Sequence, residues 1–200
     1  MAVRHAGLSG RARARARAPG TYAIHHSLRG FSLAELAMTL AVAAVLFGVG
    51  APAWHAWIAS QQLANHAHLV MDALNLARSE AIKRGMRVSV CKTLDRARCA
   101  DDGGWDQGWI LFVDDNQNGD VDEDESVLHI EGPAENRITV FGNRPVEDYV
   151  SYTSLGHPRM LNGALQMGTF VVCKPGQNAI EIVLANSGRA RMEATTRSCS

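Results

Sequence analysis

The chain has 200 residues, of which 46% are hydrophobic and 20% charged, with a formal net charge of zero; this suits one modest folded domain with appendages and excludes a disordered chain. The zero conceals an asymmetry, because residues 1–30 carry Arg4, Arg11, Arg13, Arg15, Arg17 and Arg29 and no acid, leaving fourteen basic residues against twenty acidic ones elsewhere, a net of −6. A remainder of that sign excludes polyanion binding over the whole surface. Residues 101–150 hold fourteen acids and residues 151–200 hold five Lys or Arg against Glu181 and Glu193, so any nucleic-acid contact is local and C-terminal.

In chain order, residues 1–30 form a basic leader whose Arg-Ala alternation directly precedes an apolar span, the position of a cytoplasmic positive-inside flank. From Leu36 to Trp57 the chain is apolar apart from Thr39 and His55, 22 residues that at about 1.5 Å rise each match a bilayer core. A removed secretory signal is the rival reading, but the run is too long for an h-region, and an Ala-x-Ala-like cut would discard a helix that continues past it. Residues 31–58 are therefore read as the transmembrane half of a helix and 59–85 as its amphipathic extramembrane half. In the second half Leu63, Ala67, Val70, Leu74, Ala77 and Ala81 recur at spacings of three and four, while Gln61, Gln62, Asn65, Asp72, Asn75 and Arg78 fill the other face. Glu80 can pair with Arg84 one turn on, Gly85 stops the helix behind Lys83 and Arg84, and Pro52 predicts a kink.

Residues 86–200 read as a β-rich globular domain. Short β-branched or aromatic runs at 87–91, 109–113, 127–130, 138–141, 149–153, 169–173 and 180–184 are separated by Gly, Asn, Asp and Pro clusters. A helix with one apolar stripe followed by strands needing one face covered gives an α+β fold, the helix packed across an antiparallel sheet. Cys91, Cys99, Cys173 and Cys199 all lie beyond the apolar run, where an exported domain meets an oxidising compartment. Zinc is the competing use, but there is no CxxC pair and the spacings of 8, 74 and 26 residues match no common finger. Pairing Cys91 with Cys99 and Cys173 with Cys199 is the simplest of three possible connectivities.

The string Arg29-Gly30-Phe31-Ser32-Leu33-Ala34-Glu35-Leu36 sets a glycine at the membrane edge and a lone carboxylate within the apolar run. Glycine lets a protease approach the backbone closely. An isolated acid costs on the order of 2.5 to 3.5 kcal/mol at mid-bilayer and less near the edge. Cleavage after Gly30 would give Phe31 a cationic α-amino group, and Glu35 could neutralise that amine on its own or a neighbouring subunit; an acid snorkelling at the interface is the plainer alternative.

This string resembles the type IV prepilin signature, and residues 29–193 resemble the GspH/FimT family of minor pilins and type II secretion pseudopilins. The likeness extends to Leu76-Ala77-Arg78-Ser79-Glu80-Ala81-Ile82-Lys83-Arg84-Gly85, to Gly104-Trp105-Asp106-Gln107-Gly108-Trp109 and to Ser187-Gly188-Arg189-Ala190-Arg191. The resemblance implies a pilin-like fold, cleavage between Gly30 and Phe31 by a prepilin peptidase, and N-methylation of Phe31. It also implies residence in the bacterial inner membrane with the globular domain in the periplasm or on a pilus, and assembly with other pilins or pseudopilins.

Three further features carry candidate chemistry. Asp114, Asn116, Asn118, Asp120, Asp122 and Glu125, with Gly119 at the sixth position, fit the twelve-residue calcium-loop pattern. Both flanks read as strands, however, and Asp and Asn at such spacing also build hairpin tips through Asx-turns. Arg189 and Arg191, two apart and so on one face of a strand, form with Arg197 a basic cluster that could straddle phosphates of double-stranded DNA. The FimT branch of the resembled family is associated with DNA capture during natural transformation through a similar stretch; a charge-protected edge strand is the alternative. His66 and His68 point to different helix faces, Trp54 and Trp57 suit an interfacial belt, and Trp105 and Trp109 suit a sheet core. No nucleophile with a matched base and no phosphate-binding glycine loop occurs, so the sequence predicts no enzyme.

Overall fold

The computed structural model of the chain describes residues 30–199, and for 49–53 the backbone alone. The basic leader up to residue 29 lies outside the described residues, and at Pro52, where the sequence predicts a kink, the backbone continues as one helix. The chain divides into two units between Ala44 and Val45, and one helix, α1 (Leu33–Arg84), begins in the first and ends in the second.

In the first unit, Ser32 starts the helix. Its hydroxyl accepts the Glu35 amide proton (3.2 Å), satisfying one of the amides that a helix N-terminus leaves without a partner, and Glu35 places negative charge in the turn where the helix dipole favours it. Phe31, Leu33, Leu36, Met38, Leu40 and Val42 are all exposed, so the helix turns apolar side chains outward on several faces. Among the described residues no helix is long and apolar enough to cross a membrane.

In the second unit, Leu63, Ala67, Val70, Ala73, Leu74, Ala77 and Ala81 of α1 are buried in one apolar cluster. Gly85 ends the helix at a φ of 68°, its amide donating to the Ala81 carbonyl (3.0 Å), a left-handed stop that glycine adopts without steric cost. Glu80 bonds Arg84 (2.7 Å) and Lys83 (3.3 Å) across that last turn. Two helix residues assigned to the polar face reach into the globular part: Arg78 Nε donates to the Gly156 carbonyl (3.1 Å) and Gln62 Oε1 accepts from Lys174 Nζ (2.9 Å).

The strands form two antiparallel sheets where the sequence suggested one. The first has the order β3 (Val127–Glu131), β2 (Trp109–Val113), β1 (Val88–Lys92), β5 (Tyr149–Tyr152). The second has the order β4 (Thr139–Gly142), β6 (Gly168–Cys173), β7 (Asn178–Leu184), β8 (Ala190–Ser198). The chain leaves the first sheet at β4, returns for β5 and leaves again at β6, and such long-range exchange has no local signature. Both sheets give side chains to the cluster under α1, among them Val88, Leu111 and Tyr152 from the first and Val140, Phe170 and Ile182 from the second. Strands β1 and β2 are buried along their whole length because a smaller cluster of Cys91, Ile110 and Phe112, capped by Cys99, Val121 and Tyr149, covers their other face. The cysteines are bonded Cys91–Cys99 and Cys173–Cys199, each with Cα atoms 5.5 Å apart.

Candidate functional site

The residues singled out in the sequence fall in three separate places. At the start of α1, Gly30, Phe31 and Glu35 are exposed, Phe31 at 79%. Trp54 and Trp57 further along are also largely exposed and lie 5.4 Å apart. Trp105 and Trp109 are buried; the Trp105 indole donates to the Val146 (3.0 Å) and Glu147 (2.9 Å) carbonyls.

The second place is the turn between β7 and β8. Strand β8 starts at Ala190, so Arg189 sits on the turn and not, as expected, on one strand face with Arg191. The turn closes through Gly188 N–H to Ala185 O (2.9 Å) and Ala185 N–H to Arg189 O (3.0 Å). Gly188 adopts a φ of 79° and is packed so closely that a Cβ there would strike the Gly156 carbonyl oxygen and come within 3.0 Å of Arg78 Nε. Arg159 Nη1 donates to Asn186 Oδ1 (2.8 Å), and His157 Nδ1 lies 3.2 Å from the Asn186 carbonyl. Arg159, His157 and Arg189 thus surround one tip, a grouping the sequence gives no hint of, since 157–159 are thirty residues away in the chain.

Arg191 is exposed but paired with Glu193 (2.6 Å). Arg197 lies six residues along β8 from it, about 20 Å at strand rise, opposite the far end of β7 where Ser198 pairs with Asn178. The structure therefore groups Arg189 and Arg191 and separates Arg197 from them.

The third place is the loop 114–125 between β2 and β3. Asn116 Oδ1 accepts the Asn118 amide (3.0 Å), Asn118 Oδ1 accepts the Asp120 amide (2.8 Å), and both Asn side-chain amides donate to Asp122 Oδ2 (2.7 and 2.9 Å). Glu125 closes the loop by accepting the Asp115 (2.9 Å) and Asp122 (3.3 Å) amides. Its flanks are strands, so it is a hairpin loop and not an EF-hand. Among the described residues no three His, Cys, Asp or Glu side chains stand close enough together to hold a metal by themselves.

His66 and His68 diverge: His66 is buried against Trp109 (centroids 5.9 Å), whereas His68 is exposed. Burial pushes the His66 pKa down, partly offset by the charges of Glu131 and Asp106, and its Nε2 has no partner among the described residues.

Residues 66–188 match the family described as type II transport protein GspH. No curated protein matches the sequence. Among solved structures the chain is similar to the type IV minor pilin FimU of Pseudomonas aeruginosa, with 20% identity over 70% of this chain and 97% of that one and a TM-score of 0.49. It is also similar to the minor pseudopilin EpsH from the type II secretion system of Vibrio cholerae, with 13% identity over 69% and 97% of the two chains and a TM-score of 0.47.

Proposed function

The chain belongs to the GspH family of type II transport proteins, and from that membership we propose the manner in which it is anchored, matured and assembled. It is a structural subunit of a pilus or pseudopilus, not an enzyme. Residues 31–58 anchor it in the bacterial inner membrane and then pack against other pilins or pseudopilins, while the β-rich domain stands in the periplasm or on the filament. A prepilin peptidase cleaves between Gly30 and Phe31, and the new amine of Phe31 is methylated. The observation that carries this reading is the run of outward-facing apolar residues on α1, from Leu36 through Met38, Leu40, Val42, Val45, Leu46 and Phe47, on the same helix that buries a one-sided stripe from Leu63 to Ala81. An apolar surface of that extent needs lipid or other helices around it.

Glu35 sits one turn from Phe31 on the exposed N-terminal end. Within a packed helix bundle its carboxylate meets the cationic terminus of the same or an adjoining subunit, where the low dielectric makes the pairing strong. Intact mass of the protein extracted from membranes tests the reading. The expected mass is that of residues 31–200 with one added methyl group and four cysteine hydrogens missing; a chain still carrying its leader, or cut elsewhere, refutes it.

A second reading is a minor pilin that binds double-stranded DNA for uptake. It is favoured by the tip where Arg189, Arg159 and His157 gather around one turn, with Arg191 beside them. Two or three phosphate contacts would give affinity falling with salt at a logarithmic slope of about −2 to −3. Charge reversal of Arg189 and Arg191 should abolish retention of duplex DNA with the melting temperature unchanged, and undiminished retention removes this reading.

A further inference from the structure

The loop 114–125 contains seven acidic residues and no basic one. Asp114, its first residue, has 0% of its surface exposed. One carboxylate oxygen, Oδ2, accepts from Ser89 Oγ (2.7 Å), and the other, Oδ1, has no partner among the described residues. Leaving a charged acceptor buried and unsatisfied is among the more costly things a fold can do. Arg87 does not relieve it: its guanidinium donates to Ser151 Oγ (3.1 Å), which stands on the other side of Ser89.

Gly119, sixth in the loop, takes a φ of 80°, the sharp turn that a calcium loop requires at that position.

We propose that the loop 114–125 is a calcium site built into a β-hairpin. The unpartnered oxygen of Asp114, the side-chain oxygens of Asn116 and Asn118, the main-chain carbonyl of Asp120, Asp122 and the bidentate Glu125 supply a hard oxygen set of the size calcium takes. Half of that set is amide and main-chain oxygen, which is why the acids alone do not converge on one point. On binding, the Asn116 and Asn118 amide groups exchange their bonds to Asp122 Oδ2 for oxygen ligation. The ion then fixes the loop over the outer face of the first sheet, where Val121 already packs on the Cys91, Ile110 and Phe112 cluster and the Gly119 carbonyl lies 3.6 Å from Cys99 Sγ.

Equilibrium dialysis of the metal-stripped full chain in detergent against radioactive calcium tests the site. The expected result is one calcium per chain, half-saturated at about 0.1 to 1 mM as in other modules outside the cytoplasm, with a melting temperature several degrees (~3–8 °C) higher in excess calcium than in chelator. Glu125→Gln should weaken binding at least tenfold, at the cost of one of its two loop amide contacts, and Asp114→Asn, which keeps the Ser89 contact and removes the unpaired charge, should weaken binding as much without lowering the melting temperature in chelator. Absence of saturable binding below 5 mM would overturn the proposal, as would unchanged binding in both variants or an equal shift with magnesium.

Discussion

Leu74 offers the sharpest test of how α1 meets the two sheets. It is 1% exposed at the centre of the buried stripe, whereas Leu69, on the same helix, is 42% exposed. Leu74→Ala removes three buried carbons at about 0.8 kcal/mol each and leaves a cavity, because the strands around it are tied by ladders that cannot follow. The loss should be about 3 to 4 kcal/mol, in the range of core Leu→Ala changes. For a chain of this length each kcal/mol moves the melting temperature by roughly 2–4 °C, so a fall of order 6–15 °C is expected. Leu69→Ala opens no cavity and should cost only about 1 kcal/mol. Thermal melts of the two full-chain variants in the same detergent, followed by near-ultraviolet circular dichroism, measure both. Equal shifts, or a larger one for Leu69→Ala, would refute the packing register argued from the stripe.

Other perturbations separate the remaining contributions. Gly188→Ala and Gly176→Ala each force alanine into left-handed backbone, at φ 79° and 80°, but only Gly188 is crowded, by Gly156 and Arg78, whereas Gly176 faces open space. Gly176→Ala should therefore cost about 1 kcal/mol from φ alone, and Gly188→Ala clearly more, by denaturant titration; equal costs would show that the close approach is unimportant. Replacing Cys173 and Cys199 by Ser opens a loop of 26 residues, and replacing Cys91 and Cys99 one of 8, so the chain-entropy relation predicts losses of about 3.5 and about 2.5 kcal/mol, ranked by the same titration. His66 has its pKa lowered in the folded state, so the unfolded chain takes up the proton first. Its contribution is complete above the ordinary histidine pKa and is lost as pH falls through and below it. Wild type should thus lose more melting temperature than His66→Gln between pH 7.5 and 5.5.

Helix and strand positions were legible where the physics is local. The three-and-four spacing of Leu63 to Ala81 marks the face that is buried, and Gly85 after Lys83 and Arg84 marks the stop. Strand β8 is hard to see because its nine residues, Ala-Arg-Met-Glu-Ala-Thr-Thr-Arg-Ser, contain no apolar run; it is an edge strand held on one side only, so polar side chains suffice. The division into two sheets is illegible for a different reason, since which strand neighbours which depends on contacts across the whole domain. The same holds for Arg78 and Arg159, whose partners Gly156 and Asn186 are 78 and 27 residues away, and for Lys92, which is buried only because Asp148 (2.7 Å) and the carbonyls of Asp101 and Gly103 receive it. Among the acids of 101–150, composition could not separate Asp114, sealed inside, from Asp115 beside it, which is exposed.

The bond from Cys173 to Cys199 joins the end of β8 to β6, the strand on the far side of β7, and the Cys199 amide also donates to the Gln177 carbonyl (3.0 Å). An edge strand, paired on one side only, is ordinarily the first part of a sheet to unzip under mechanical load. Here the far end of β8 is riveted past its neighbour to β6, so a pull along the sheet cannot peel the strand away from that end. Only a reductant can release it.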